Sequence, residues 1–212
     1  MVLLGFSDFA CQRSASPGPG PDPEMDLEIT AESGPQTAVV AGGCFWCVEA
    51  VFEQLEGVLD ATSGYAGGNA ETAQYGAVSG GQTDHAEAVK ITYDPQKVSF
   101  GQLLKVFFTV AHDPTQLNRQ GPDTGRQYRS AIFYDSEQQK KVVEAYIHQL
   151  ERERLFEAPI VTALEPLDAF YPAEEYHQDY ALENPRQPYI VSQAQPKVQK
   201  VREKFGDLLK KQ

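Results

Sequence analysis

Two cysteines three residues apart stand in the run Gly42-Gly43-Cys44-Phe45-Trp46-Cys47. An apolar stretch, residues 38–41, precedes the glycines, and Val48, Val51, Phe52 and Leu55 follow at helical spacing. The run therefore reads as strand, tight turn, helix. Cys44 falls at the start of that helix, where free backbone N–H groups and the positive end of the helix dipole favour a thiolate. Thiolate is the reactive form of cysteine, so the pattern points to nucleophilic or redox chemistry at Cys44, with Cys47 one helical turn away. Most free cysteines are small buried hydrophobes; the glycine pair and the second cysteine favour the reactive reading here. A carboxyl able to act as a general acid is Glu87, which opens an apolar strand after a glycine-rich loop and follows His85. Burial at such a place raises a carboxyl pKa toward neutrality. No metal site is expected, because His85, His112 and His177 do not pair at ligand spacing and zinc would need more than Cys44 and Cys47.

The elements that must position these groups follow in order. After the first helix, residues 57–62 read as a strand running into Gly64–Gly68. Residues 65–82 hold five glycines and two tyrosines with little periodicity, and read as a loop. Residues 88–93 alternate as a half-buried strand closed by Asp94-Pro95. Ser99 is a plausible N-cap for a helix with Leu103, Leu104, Phe107 and Phe108 inward. Residues 131–134 form a strand, and Ser136 with Gln139 suits the capping box of a helix running to about Arg154. One more strand, residues 160–164, and a short tyrosine-rich helix over residues 173–182 complete the body. The order β-α-β-β-α-β predicts an α+β fold: a ferredoxin-like split β-α-β core, a mixed sheet with helices packed on it, with C-terminal additions.

Gly-Cys-Phe-Trp opening a helix resembles the active-site signature of the peptide methionine sulfoxide reductase A family. The resemblance continues in order through Gly64-Tyr65-Ala66-Gly67-Gly68, His85-Ala86-Glu87-Ala88-Val89, His112-Asp113-Pro114, Gln127-Tyr128-Arg129-Ser130 and Tyr176-His177-Gln178, covering roughly residues 37 to 190. It implies the same fold and a thiol-dependent reduction of methionine S-sulfoxide, peptide-bound or free, with no bound cofactor. Cys44 would attack the sulfoxide sulfur and Glu87 would protonate the departing oxygen. The resemblance carries over Tyr75 and Tyr128 as hydrogen-bond donors to that oxygen and Asp123 as a further polar group of the site. Phe45 and Trp46 would enclose the S-methyl group. Glu174, Glu175 and His177 read as scaffold. Attack leaves Cys44 as a sulfenic acid that a second thiol must resolve. Many relatives place that thiol near the C-terminus, but no cysteine follows Cys47 here. Cys47 is the nearest candidate, and a thioredoxin-type reductant would reset the disulfide. The competing reading is a general thiol–disulfide oxidoreductase built on Cys44-x-x-Cys47.

The chain of 212 residues is 41% hydrophobic, enough for one core. Residues 1–36, with a Pro/Gly/Ser-rich stretch at 14–23, are expected to be a disordered segment, residues 37–190 the catalytic domain, and residues 191–212 a tail. In that tail six Lys or Arg stand against Glu203 and Asp207, and Val198, Val201 and Phe205 are spaced for a short amphipathic helix. A net charge of −12 argues against nucleic acid or anionic membrane as a partner, and no apolar run is long enough to span a bilayer. The expected partners are oxidised proteins, free methionine sulfoxide and thioredoxin, with a cytoplasmic monomer as the expected state. Export with a lipid anchor at Cys11 is the alternative; against it, the first residues lack a basic region and their apolar run is short.

Overall fold

The computed structural model describes residues 19–211. Its elements run β1 (Gln36–Gly42), α1 (Phe45–Phe52), β2 (Val58–Ala66), α2 (Tyr75–Ser79), β3 (Ala86–Tyr93), α3 (Phe100–Val106), β4 (Arg119–Gln120), β5 (Asp123–Thr124), β6 (Ser130–Tyr134), α4 (Glu137–Arg152), β7 (Ala163–Pro166), β8 (Phe170–Pro172), α5 (Tyr180–Glu183) and α6 (Gln195–Lys204). The main sheet has the order β7-β6-β1-β3-β2-β8. Its centre, β6-β1-β3-β2, is antiparallel throughout, and β7 adds to β6 in parallel. That centre is the split β-α-β arrangement expected from the element order. The result is an α+β fold on a mixed sheet.

Alternation along β3 divides the two faces. Val89, Ile91 and Tyr93 join the large core beneath the helices, whereas Ala86 and Ala88 join a smaller cluster on the opposite face with Ala41, Ala66 and Phe133. Glu87 has the parity of Val89, so the strand itself turns this carboxyl toward the helices. α1 is buried along nearly its whole length, at Phe45, Cys47, Val48, Glu49, Ala50, Val51 and Phe52. Ser99 caps α3 as expected and forms a capping box with Gln102, whereas the box expected at Ser136 is incomplete: Ser136 accepts from the Gln139 N–H at 3.2 Å, but the Gln139 side chain accepts from the Asp135 N–H at 3.1 Å instead.

Four stretches differ from expectation. β2 continues to Ala66, into the stretch read as loop, because Gly64 lets β8 come close: a Cβ there would lie 2.5 Å from the Tyr171 carbonyl oxygen. The remaining segment contains a 3₁₀ turn, Ala70–Thr72, and α2. The late strand begins at Ala163 rather than residue 160, since Val161 N–H is taken by the Pro114 carbonyl at 2.8 Å. The helix expected over residues 173–182 is two short turns, Glu175–His177 and α5, separated at Asp179, whose φ of 52° breaks helical continuity.

Part of the segment expected to be disordered lies on the body. Tyr146 O–H donates to the Pro21 carbonyl at 3.0 Å and Gln149 Nε2 to the Asp22 carbonyl at 2.8 Å. Asp26 accepts from the Gly101 N–H at 2.9 Å and from Ser99 Oγ. Composition underestimated this contact because a proline-rich chain leaves its carbonyls free, and donors on α3 and α4 take them up. Cys11 lies outside the described residues. At the other end, α6 buries Val201, and the following Phe205 is buried as well.

Candidate active site

Gly43 turns the chain out of β1 with φ 89°, and a Cβ there would meet Gln120 Cβ at 2.5 Å. Only glycine suits that conformation and that approach. The turn places Cys44 as the N-cap of α1, as expected. The Cys44 carbonyl accepts from both the Cys47 N–H at 3.1 Å and the Val48 N–H at 3.4 Å. This tightens the first turn toward 3₁₀ geometry and keeps Cys47 within that turn. Both thiols are free and buried.

Cys44, Phe45, Trp46, Tyr75, Glu87, Asp123, Tyr128, Gln187 and Tyr189 line one cavity of about 240 Å³. Seven of these nine were singled out from the sequence; Cys47 was too, but it is 1% exposed and does not reach the cavity wall. Glu87 is 2% exposed, and its Oε2 accepts from the Phe45 N–H at 3.2 Å. Burial, opposed by that hydrogen bond and reinforced by the negative charge of Asp123, pushes its carboxyl up to about 8. Glu87 therefore carries a proton at neutral pH. Tyr75 comes from α2 and Tyr128 from the 3₁₀ turn Arg126–Tyr128. Burial and the neighbouring Glu87 charge raise both phenols, so they remain donors.

Neighbouring elements hold these groups in place. Glu174 accepts from the Tyr75 backbone N–H at 2.9 Å and from Tyr65 O–H at 2.8 Å, which fixes the start of α2. Gln127 Nε2 donates to the Ser79 carbonyl at 3.0 Å, tying the Tyr128 turn to α2. Arg129 grips Glu165 through two bonds of 2.9 and 3.0 Å. Trp46 stacks on Tyr180 with ring centroids 3.9 Å apart, and its indole N–H donates to His177 Nδ1 at 3.2 Å. His177 must be neutral to accept, and burial lowers its pKa accordingly. The Glu174 and His177 contacts give the scaffold reading of these residues its physical content.

The thiols depart from the simple helix-dipole expectation. Burial is the largest influence on Cys44 and pushes its thiol up, with the Cys47 and Glu87 charges acting the same way. Cys47 is drawn down, chiefly by a hydrogen bond from Cys44, with help from Lys197 and Tyr189. The dipole acts on a group that the fold has removed from water, and desolvation wins. Cys44 is also 7% exposed rather than on an open surface turn.

The model for "Peptide methionine sulfoxide reductase" matches residues 36–209. The chain belongs to the peptide methionine sulfoxide reductase family. It is 55% identical over 183 residues to the peptide methionine sulfoxide reductase MsrA 2 of Synechocystis, covering 86% of each chain. Among solved structures it resembles the reduced form of Mxr1 from Saccharomyces cerevisiae (34% identity, TM-score 0.66, 72% of this chain and 87% of that one). It also resembles methionine sulfoxide reductase A of Corynebacterium diphtheriae (35% identity, TM-score 0.62, 80% and 85%).

Sequence reasoning missed Gln187 and Tyr189 in this reductase. Tyr189 O–H donates to Asp123 Oδ2 at 2.5 Å and its ring meets the edge of Trp46 at 6.2 Å. It lies 145 positions from Cys44 in a stretch without periodicity, and no spacing rule connects the two. Glu49 was also missed: it is 1% exposed, accepts from the Ser63 N–H at 3.3 Å, and is pushed up to about 7 by burial. Its position on the buried side of α1 was the available signal. Among the described residues no group of three or more His, Cys, Asp or Glu could hold a metal ion, and no helix is long and apolar enough to cross a membrane.

Proposed function

We propose that this reductase reduces methionine S-sulfoxide, in peptides and free, through Cys44 and Glu87, as a repair of oxidised protein. The observation that carries the reading is one small cavity shared by Cys44 and a buried Glu87, two residues that α1 and β3 bring together through the Phe45 N–H bond. A sulfoxide sulfur is a poor electrophile until its oxygen is protonated. Glu87 supplies that proton while Tyr75 and Tyr128 hydrogen-bond the oxygen as charge develops on it. Phe45 and Trp46 form the apolar wall for the S-methyl group. The Cys44 sulfur attacks the sulfoxide sulfur, the protonated oxygen passes as hydroxyl to Cys44, the bond between the two sulfurs breaks so that methionine leaves, and the Cys44 thiol proton returns to the Glu87 carboxylate, leaving Cys44 as a sulfenic acid. Its place one turn from Cys44 makes Cys47 the resolving thiol of this reading, and a thioredoxin-type dithiol then reduces the Cys44–Cys47 disulfide. No bound cofactor enters this cycle. Residues 37–190 carry the chemistry, and all the residues that line the cavity fall within them.

The test is dithiothreitol-driven reduction of dabsyl-methionine sulfoxide, each epimer assayed separately and metal content measured alongside. Turnover of the S-epimer by metal-free protein is expected. Turnover of disulfides without sulfoxide reduction would instead assign a general thiol–disulfide oxidoreductase, which has no use for the Phe45–Trp46 wall.

A further inference from the structure

A second cavity, of about 440 Å³, lies toward the C-terminal end of α1 and shares no lining residue with the catalytic one. Four acidic residues line it: Glu49 and Glu53 from α1, Asp60 from β2, and Asp179 from the turn before α5. Lys210 is the only cation among its lining residues, and its N–H is pinned to the Gln54 carbonyl at 2.9 Å. Acidic side chains at a surface are ordinarily solvated, but Glu49 is not. It is 1% exposed, its Oε1 accepts from the Ser63 N–H at 3.3 Å, and its buried Oε2 has no hydrogen-bond partner in the protein. The Ser63 hydroxyl is buried and without a partner too. Buried polar atoms are rarely left so, because an unmade hydrogen bond is costly there. The Glu49 carboxyl therefore calls for a donor brought in from outside the chain.

We propose that this cavity is a binding site for a guanidinium on an aliphatic stem, as in an arginine side chain, anchored by Glu49 with Glu53 and Asp179 as further acceptors. The acidic residues do not form a group that could hold a metal ion. A guanidinium suits them better, because it spreads five N–H donors over a planar fork and reaches several carboxylates at once. Leu59 and Leu182, 56% and 71% exposed, line the same cavity and offer apolar surface to the stem. The electrostatics agree with this class of ligand. Burial, reinforced by the neighbouring acids, holds the Glu49 carboxyl up at about 7 and the Glu53 carboxyl at about 8. A bound cation favours their ionised forms, so binding releases protons and tightens as pH rises through those values. The other charged groups facing the ligand are Asp60, Asp179 and Lys210. An arginine of a protein and a free alkylguanidine share this chemistry.

Isothermal titration calorimetry of the full chain with butylguanidinium, and with a capped Gly-Arg-Gly peptide, tests the site. Saturable binding is expected, tighter at pH 9 than at pH 6, with heats near pH 7 that change with the buffer because protons are released. Tighter binding of the peptide assigns the site to an arginine of a protein, and tighter binding of butylguanidinium to a free guanidine; either outcome supports the site. Glu53→Gln, at a half-buried position, should weaken binding by about tenfold or more. Asp179→Asn should weaken it as well, and asparagine tolerates the left-handed conformation that Asp179 adopts. Glu49→Gln should remove saturation altogether; if that variant does not fold, the other two decide. Equal binding of neutral butylurea, unchanged affinity in both Glu53→Gln and Asp179→Asn, or no saturable heat with either probe would overturn the proposal.

Discussion

In the proposed mechanism Glu87 has to hold a proton at the pH where Cys44 acts, and burial beneath the first turn of α1 raises its carboxyl in that direction. Glu87→Gln should lose roughly a hundred- to ten-thousand-fold in rate, with the residual rate rising as pH falls; a normal rate from pH 5 to 8 would remove Glu87 from the mechanism. In the wild type the rate should decline as pH passes about 8, where this carboxyl ionises. The same residue has a consequence for stability. Its folded pKa is raised from 4.5 to about 8, so between those values the folded chain holds a proton that the unfolded chain does not. Its stabilising contribution is complete below pH 4.5 and is lost as pH rises toward 8. Thermal melts of Glu87→Gln should show a shallower decline over that window than wild type. Glu49 and Glu53 have the same sign of shift, to about 7 and about 8, and keep part of the slope. For Cys44→Ser, no methionine should be released in a single turnover.

At the scale of elements, the turn into α1 sets the position of both thiols. Gly43→Ala places a Cβ against Gln120 at a positive φ, which should cost roughly 1–3 kcal/mol and lower the melting temperature. Gln120 itself bridges Asp113, accepting from its N–H at 3.0 Å, so the displacement should also disturb β4 and β5, which carry Asp123. The tightened first turn leads to a different expectation for Cys47. Side chains three apart on a helix sit about 5–6 Å apart at Cβ, whereas a disulfide needs about 3.5–4.5 Å. Some unwinding at the helix end must accompany the bond, and the disulfide should be readily reduced. Cys47→Ser should complete one turnover, stall when thioredoxin is the reductant, and recover with small thiols. Peptide mapping of the oxidised wild type should find Cys44 and Cys47 linked; full thioredoxin-driven turnover by Cys47→Ser would exclude this role.

Across the whole molecule, the docked stretch around residues 21–26 joins α3 to α4. A chain beginning at residue 28 should melt below one beginning at residue 19, because Tyr146, Gln149 and Gly101 lose the partners described above. Two or three such hydrogen bonds are worth about 1–3 kcal/mol, or roughly 2–10 °C for a chain of this size. Equal melting temperatures would show that the stretch adds no stability.

The sequence by itself determined the order of the core elements, the capping of α3 and α4, the glycine turn before Cys44, and the motifs that placed the chain in its family. These are local matters of periodicity, capping chemistry and turn conformation, legible within a dozen residues. The role of Glu87 was half legible: period-two alternation puts it with Val89, Ile91 and Tyr93, but which face is buried depends on where β1 and α1 pack. Tertiary structure alone decided the rest. It brought Tyr189 from the far end of the chain to Asp123 and the cavity of Cys44, paired β8 with β2, and set the docked carbonyls of residues 21 and 22 against α4. It also pushed the Cys44 thiol up where the helix dipole alone would have drawn it down, because a dipole acts locally whereas desolvation depends on everything packed around the sulfur.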